Sequence, residues 1–291
     1  IVQGTVSITS GYQAAVLNVG KVENKGIEIS LTGNIIKAKD FKWTSSFNYA
    51  HNKNTVVQLA EGQKFMDMSQ SRTTRGFIQN RLGLPAYQIM VYDYKRDTKG
   101  ALVLNASGFP QAGELIAAGT SIPPTVGGWN NQFQYKNLGL EFLFDYKFGA
   151  FVYSGTNARA YAAGLQKETL NGRETGIAVT GVDDAGAAVT KTISAQDYYT
   201  SLSNISIVQT YSADFIKLRS LSLSYTIPAK TLKNFVQGIT VSLVGRNLLY
   251  VKRDSPNIDP EANYSNGFSY GLEYASLPST KSFGLNLNVR F

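Results

Sequence analysis

The sequence has no cysteine and a single histidine in 291 residues. Without cysteine there are no disulfides, no thiolate metal sites and no thiol nucleophile. His51 stands beside Asn52 and Lys53 with no adjacent carboxylate, which supports neither a histidine metal site nor a Ser-His-Asp triad. Charge is scarce as well, at 16% against roughly 25% in an average soluble domain. No stretch reaches the roughly 18 consecutive apolar residues of a membrane helix, so a helical membrane protein is excluded. The 28 Lys and Arg against 20 Asp and Glu give a formal charge of +8. The densest basic pair is Lys252-Arg253 and the rest is scattered, so no nucleic-acid patch forms. Ile1 to Thr5 hold neither a charged nor an apolar leader region, and any export signal is expected outside this chain. No glycine-rich phosphate loop leads from a strand into a helix, and Asp183-Asp184 before Ala185-Gly186 reads as a turn. No catalytic residue is assigned, and the chain is not expected to be an enzyme.

What the sequence does have is apolar and aromatic content arranged with a period of two. Hydrophobic residues make up 43%, including 17 Tyr, 15 Phe and 2 Trp. Phe283, Leu285, Leu287, Val289 and Phe291 alternate with Ser282, Gly284, Asn286, Asn288 and Arg290, the pattern of a β-strand with one apolar face. Ile27, Ile29 and Leu31 alternate with Glu28, Ser30 and Thr32. Phe41, Trp43, Phe47 and Tyr49 do so with Lys42, Thr44, Ser46 and Asn48. The period returns at Phe133 and Tyr135, from Leu140 to Phe148, from Leu221 to Ile227 and from Ile239 to Leu243. Leu143 falls on the polar phase, and the slip between Leu218 and Leu221 predicts a β-bulge. No segment of similar length carries a 3.6-residue repeat.

Connection lengths alternate. Short polar links at 37–40, 95–100, 137–139 and 228–238 are interleaved with long loops at about 52–84, 105–128, 150–212 and 251–278. Short turns at one end and long loops at the other are the order of an outer-membrane-type barrel. Counting back from Phe291 with the long loops outside gives nine strands, the weakest at Ala101 to Leu104. Val6 and Ile8, alternating with Thr5, Ser7 and Thr9, predict an outward strand over 1–9. The total is about ten antiparallel strands of roughly ten residues, the length a tilted strand needs to cross a bilayer. Alternation alone also suits a soluble sandwich or propeller whose apolar face is a core. Polar-phase residues such as Gln132, Gln134, Glu141, Asp145, Asn286 and Asn288 suit a wet lumen or a solvated surface equally. Strand length and the aromatic surplus favour the membrane. Phe283, Leu285, Leu287, Val289 and Phe291 would leave a bulky unpaired edge until the last strand meets the first, an edge that an assembly machine could recognise.

Several segments resemble one family, the SusC-like (SusC/RagA) TonB-dependent outer-membrane transporters. Asn18, Gly20, Asn24-Lys25-Gly26-Ile27-Glu28 match its N-x-G-x-x-x-N-K-G-h-E signature, h being apolar. Phe41, Trp43, Asn48 and Asn52-Lys53-Asn54 with Val56 are similar to its F-x-W-x-x-x-x-N-h-x-x-N-K-N-x-V run. Ile122 to Leu138 resembles a family hairpin. Phe215-Ile216-Lys217-Leu218-Arg219-Ser220-Leu221, Gly245-Arg246-Asn247-Leu248 and Leu277-Pro278-Ser279-Thr280-Lys281-Ser282-Phe283 resemble the family's closing segments.

The resemblance implies that residues 1–291 are the C-terminal portion of a 22-stranded barrel, with the plug and the first strands absent from this chain. It implies uptake of nutrient oligomers, glycan or peptide, across the outer membrane with a SusD-like surface lipoprotein. Energy would come from the TonB complex through the absent N-terminal part, and the C-terminus would lie at the periplasmic face. Loops 150–212 and 251–280 would meet the lipoprotein. Tyr153, Tyr161, Tyr198, Tyr199, Tyr264, Tyr270 and Tyr274 would stack on sugar rings or peptide groups. Asp93 to Gly100 is a partial relative of a family Asp/Asn-rich stretch. Asp254 to Glu261 offers oxygen ligands, but its two prolines favour a rigid turn over a calcium site, and no cofactor is expected. A passive porin or structural barrel, and a soluble β-rich binding module, are the alternatives.

Overall fold

The computed structural model describes residues 2–4, 7–12, 15–17, 20–232, 236–263 and 267–291. Val6, Asn18, Val19 and Tyr264 lie outside them. The period-two segments form one seven-stranded antiparallel sheet: β1 Lys21–Lys37, β2 Phe41–Gln58, β3 Thr125–Tyr135, β4 Leu138–Phe148, β5 Phe215–Pro228, β6 Gly238–Arg253 and β7 Ser282–Arg290. Each strand pairs with the next in sequence, an up-and-down wall. The shortest, β7, has 9 residues and the longest, β2, has 18. Every strand therefore reaches the roughly 9–11 residues needed to cross a bilayer.

The register aligns the alternation from strand to strand. Ile36, Trp43, Phe133, Leu140, Leu223, Leu243 and Leu285 lie side by side in one row across all seven strands. A neighbouring row on the opposite face reads Lys37, Lys42, Gln134, Gly139, Ser224, Ser242 and Asn286. The apolar face has no protein layer over it: Leu243 is 60% exposed and Leu285 is 70% exposed. Rings stack along this face, Trp43 on Phe133 at 5.4 Å and Trp129 near Phe144 at 6.5 Å. Their indole N–H groups donate to Asn131 and Ser45, so that no polar edge is left bare. Gly127 is required here, because a Cβ would stand 2.2 Å from the Tyr146 hydroxyl that lies over it.

The buried core is in the loops. Residues 59–124 fold a four-stranded antiparallel sheet from Phe65–Gln70, Gly76–Arg81, Gln88–Tyr94 and Ala112–Thr120. Residues 149–214 contribute strand Phe151–Ser154, helices α1 Gly155–Ala162 and α2 Ala195–Ser201, and a hairpin of Ile177–Val182 with Ala188–Ile193. In residues 254–281, Leu272–Glu273 pairs in parallel with Tyr153 and Ser154. Ile78, Ile89, Val91, Tyr153 and Leu272 therefore make one core from all three loops.

Three expectations are corrected. The wall has seven strands among the described residues rather than about ten. Residues 88–94 belong to the loop sheet, and 101–104 make only isolated bridges, Leu102 to Arg96, Val103 to Val182 and Leu104 to Pro110. Residues 2–4 pair briefly with 15–17 while Ile8–Ser10 is a 3-10 turn, so the described residues within 1–9 form no spanning strand. Of the nine strands counted back from Phe291, only those at 88–94 and 101–104 are lost, which preserves parity, and β1 and β7 still run the same way, with all three long loops at one end. The expected bulge is present, with Ser220 opposite Arg246 and Leu218 opposite Leu249. The helices are too short to show a 3.6-residue repeat, though Ser154 and Ser194 cap them by accepting from the backbone N–H of Asn157 and Asp197.

Replacing Leu243 by Arg should cost about 2–4 kcal/mol near the middle of a lipid-facing band, whereas Ser242→Arg, one residue along on the other face, should be tolerated. Thermal unfolding of each variant in lipid measures the difference, and equal losses would contradict the two-faced wall.

Candidate functional site

The polar face carries cross-strand side-chain ladders. The Ser30 hydroxyl donates to Asn48, Thr32 to Ser46 and Thr44 to Asn34, and the amides of Asn130 and Gln132 both donate to Glu141. Such short polar side chains and carboxamides keep a wall hydrated while pairing among themselves.

Toward the long-loop end, residues 254–281 fold back onto this face and a charged cluster ties them down. Glu261 receives Lys147 at 3.3 Å, Lys217 at 3.1 Å and Arg219 at 2.9 Å. Arg219 also holds Asp145 and donates to the Asn247 carboxamide. Lys217 is 1% exposed and donates further to Tyr250 and to Ser279. Asp259 accepts from the Tyr250 hydroxyl and from the Ser279 hydroxyl and backbone N–H. The bulges explain the aim of these groups: Arg219 is the extra residue of β5, and Asn247 takes φ +53° in β6, as bulges re-aim side chains.

Burial alone would raise the Asp259 carboxyl. The hydrogen bonds from Ser279, Tyr250 and the Glu261 backbone outweigh it and hold the group at about 2. Burial likewise opposes Glu261, but Arg219 and then Lys217 and Lys147 hold it below the ordinary carboxylate range. A carboxylate with a depressed value in the folded state contributes stability that is complete above its ordinary value and disappears as pH falls through the depressed one.

Among the described residues the loop tyrosines do not share one surface, although Tyr161, Tyr198 and Tyr199 pack together. Tyr153 is 0% exposed in the loop core, with its hydroxyl 2.6 Å from Thr73 Oγ1 and its ring filling the space that a Cβ on Gly76 would need. Tyr199 is 8% exposed and donates to the Glu168 carbonyl. These two are packing residues, with no surface left for a ligand. Tyr161 and Tyr198 are half-buried edge-on against Tyr199, and burial pushes both hydroxyls up. Tyr270 is half-exposed, and Tyr274 is half-exposed against Gly155 at the start of α1. Phe283, Leu285, Leu287 and Phe291 are exposed and Val289 is half-buried, along an edge of β7 that is unpaired among the described residues.

His51 lies in β2 with Nδ1 2.8 Å from the Thr125 hydroxyl. In the acidic stretch, Asp254 pairs with Lys252, while Asp259 and Glu261 are taken by the cluster just described. Asp97 accepts from the backbone N–H groups of Lys99 and Ala101, which is turn geometry. Sequence reading missed the cluster of Asp145, Lys217, Arg219 and Glu261. The signals present were the phase slip around Arg219 and the Gly245-Arg246-Asn247 interruption of β6.

A two-faced antiparallel wall of spanning-length strands, with long packed loops gathered at one end, defines this chain as part of an outer-membrane-type β-barrel. No protein-family model matches it. It is 28% identical over 314 residues to TonB-dependent receptor P3 of Formosa agariphila, covering 97% of this chain and 30% of that receptor. It is 26% identical over 148 residues to TonB-dependent receptor SusC of Bacteroides thetaiotaomicron, covering 47% of this chain and 15% of SusC. The RagAB peptide transporter structure aligns with a TM-score of 0.65 at 19% identity, over 99% of this chain and 31% of that one. A RagAB peptide importer in the open-open state gives 0.65 at 21% identity, over 100% and 31%.

The chain thus resembles the SusC-like TonB-dependent transporters over nearly all of its length and has the fold of their barrel. These relatives are TonB-dependent receptors and a peptide transporter. The chain spans about 30% of the length of the three Formosa agariphila receptors it matches over nearly its whole length.

The folded-back loop should stay attached above pH 4.5, the ordinary value for Glu261, and detach as pH falls toward the value of about 2 held by Asp259. Limited pepsin digestion with mass readout measures this. Cleavage within 254–281 should appear near the lower limit, and full cleavage already at the upper one would contradict the assignment.

Proposed function

We propose that this chain is the C-terminal portion of the barrel of a SusC-like importer, which takes up nutrient oligomers, glycan or peptide, across the outer membrane. The observation that carries this reading is the apolar row that crosses all seven strands uncovered, backed by a polar row on the other face. In this reading the apolar face meets lipid and the polar face lines the lumen. The long loops are extracellular, and β7 runs inward so that the C-terminus is periplasmic. The remaining strands close the barrel between the open edges of β1 and β7, and the plug belongs to the part of the protein outside this chain.

A SusD-like lipoprotein covers the outer loops, and the TonB complex drives transport by acting on the plug-bearing part. This segment contributes position and surface rather than chemistry. Its wall offers hydroxyls and carboxamides at regular strand spacing, while half-exposed Tyr161, Tyr198, Tyr270 and Tyr274 offer ring faces to sugars or peptide groups. RagAB, whose barrel aligns with this chain, is a peptide importer, which supports the peptide arm of the reading.

Uptake of the cognate oligomer should require TonB, and uptake at full rate in cells lacking TonB would refute the importer reading. Deleting Phe291 should reduce the amount of heat-modifiable, folded barrel in the outer membrane, because the terminal apolar alternation is the expected recognition edge. An unchanged level would refute that role.

A further inference from the structure

The third long loop does not continue away from the sheet in the direction that β6 and β7 would carry it. It turns back across the polar face of β4, β5 and β6 and is tied there at both of its ends. Near its start, Glu261 binds Lys147 of β4 together with Lys217 and Arg219 of β5. Near its finish, Ser279 accepts from Lys217, and the Thr280 carbonyl accepts from the Asn247 carboxamide in the β6 bulge. The two ends are also tied to each other, because Asp259 accepts both the hydroxyl and the backbone N–H of Ser279.

The middle of the loop is anchored to different partners. Leu272 is 0% exposed in the core shared by the three loops. Glu273 is 1% exposed, and its carboxylate accepts from the hydroxyls of Ser154 and Thr156. Parallel pairing with Tyr153 and Ser154 adds backbone bonds. Moving this segment would break ties to the wall and to the loop core together, and would leave the carboxylates of Glu261 and Glu273 without the partners that offset their burial. The wall cluster is also balanced in charge, with Asp145, Asp259 and Glu261 set against Lys147, Lys217 and Arg219, so a passing ionic oligomer finds no surplus charge there with which to displace it. Beside the cluster an open recess of about 540 Å³ remains, bordered by Glu141, Ser222, Arg246 and Asn247.

We propose that the described residues of 254–281 form a fixed strap across the lumenal wall, with the open recess left beside it, and that this strap does not swing as a gate during transport. The proposal rests on the reading of the polar face as lumen. It assigns a fixed surface in the lumen to a particular loop, and leaves opening and closing to other parts of the outer face.

The test uses the intact transporter in proteoliposomes with nitroxides at Leu277→Cys on the strap and Asn286→Cys on the polar face of β7, both exposed positions. Distances are measured by pulsed electron resonance with and without a tryptic digest of casein and a maltooligosaccharide mixture. One narrow distance, unchanged by either probe, is expected, and Glu261→Gln should at least double its width. Two distances in the otherwise unaltered protein, a shift with either probe, or an unbroadened distance in Glu261→Gln would overturn the proposal. If Glu261→Gln fails to fold, Ser279→Ala is read in the same way with the same criteria. The Asn286 label separates the two levels of inference. Contact with membrane-dissolved oxygen in place of an aqueous nickel chelate removes the lumen reading itself, whereas chelate contact with moving distances removes the strap alone.

Discussion

Everything in this structure depends on one row of side chains that no part of the chain covers. Ile36, Trp43, Phe133, Leu140, Leu223, Leu243 and Leu285 sit in register across the sheet. Keeping a large apolar side chain fully in water forfeits about 1.5–3 kcal/mol, so that row, about half exposed on average, would forfeit on the order of 5–10 kcal/mol. Domains are stable by about 5–15 kcal/mol in total. An aqueous fold with this face bare is therefore untenable, and lipid is the solvent that turns the row from a liability into the source of stability. The same alternation that exposes the apolar face fills the other with Ser, Thr, Asn and Gln, so that one register serves lipid and lumen together.

A wall of this kind has no interior of its own, which explains where the conventional core went. Ile78, Ile89 and Val91 from the first loop, Tyr153 from the second and Leu272 from the third meet above the strands. The loops thus fold as a shared body rather than as independent excursions. The third loop joins that body to the wall, with Glu273 held at Ser154 and Thr156 and Glu261 held at Lys217 and Arg219. Bulges at Arg219 and Asn247 make this join, at the level where the strap crosses the sheet.

The wall was legible in the sequence wherever one face met a uniform environment along the strand, as at Phe283 to Val289 or Leu140 to Phe148. Legibility ended where a strand was buried on both sides. Ile89, Met90 and Val91 are all 0% exposed, so the segment has no alternation to show which sheet it joins, and counting it with the wall inflated the strand number. Tyr153 and Tyr199 looked like ligand contacts because aromatic content in a loop does not reveal which rings the loop buries. The charged cluster was hidden for another reason. Asp145, Lys217 and Glu261 are far apart in sequence, and only the register that aligns β4 with β5, together with the return of the third loop, brings them together.

The central claim is that the apolar face of the sheet meets lipid, and the two tryptophans of this chain, Trp43 and Trp129, both lie on it. The most direct measurement is fluorescence quenching by brominated lipids, in the intact protein with every other tryptophan replaced by phenylalanine and with bromine placed at graded depths along the acyl chains. Strong, depth-dependent quenching of Trp43 and Trp129 is predicted, alongside weak quenching of a tryptophan placed at Ser222 on the polar face in a variant lacking both. Quenching of the Ser222 position that matched or exceeded that of the native pair would contradict the account.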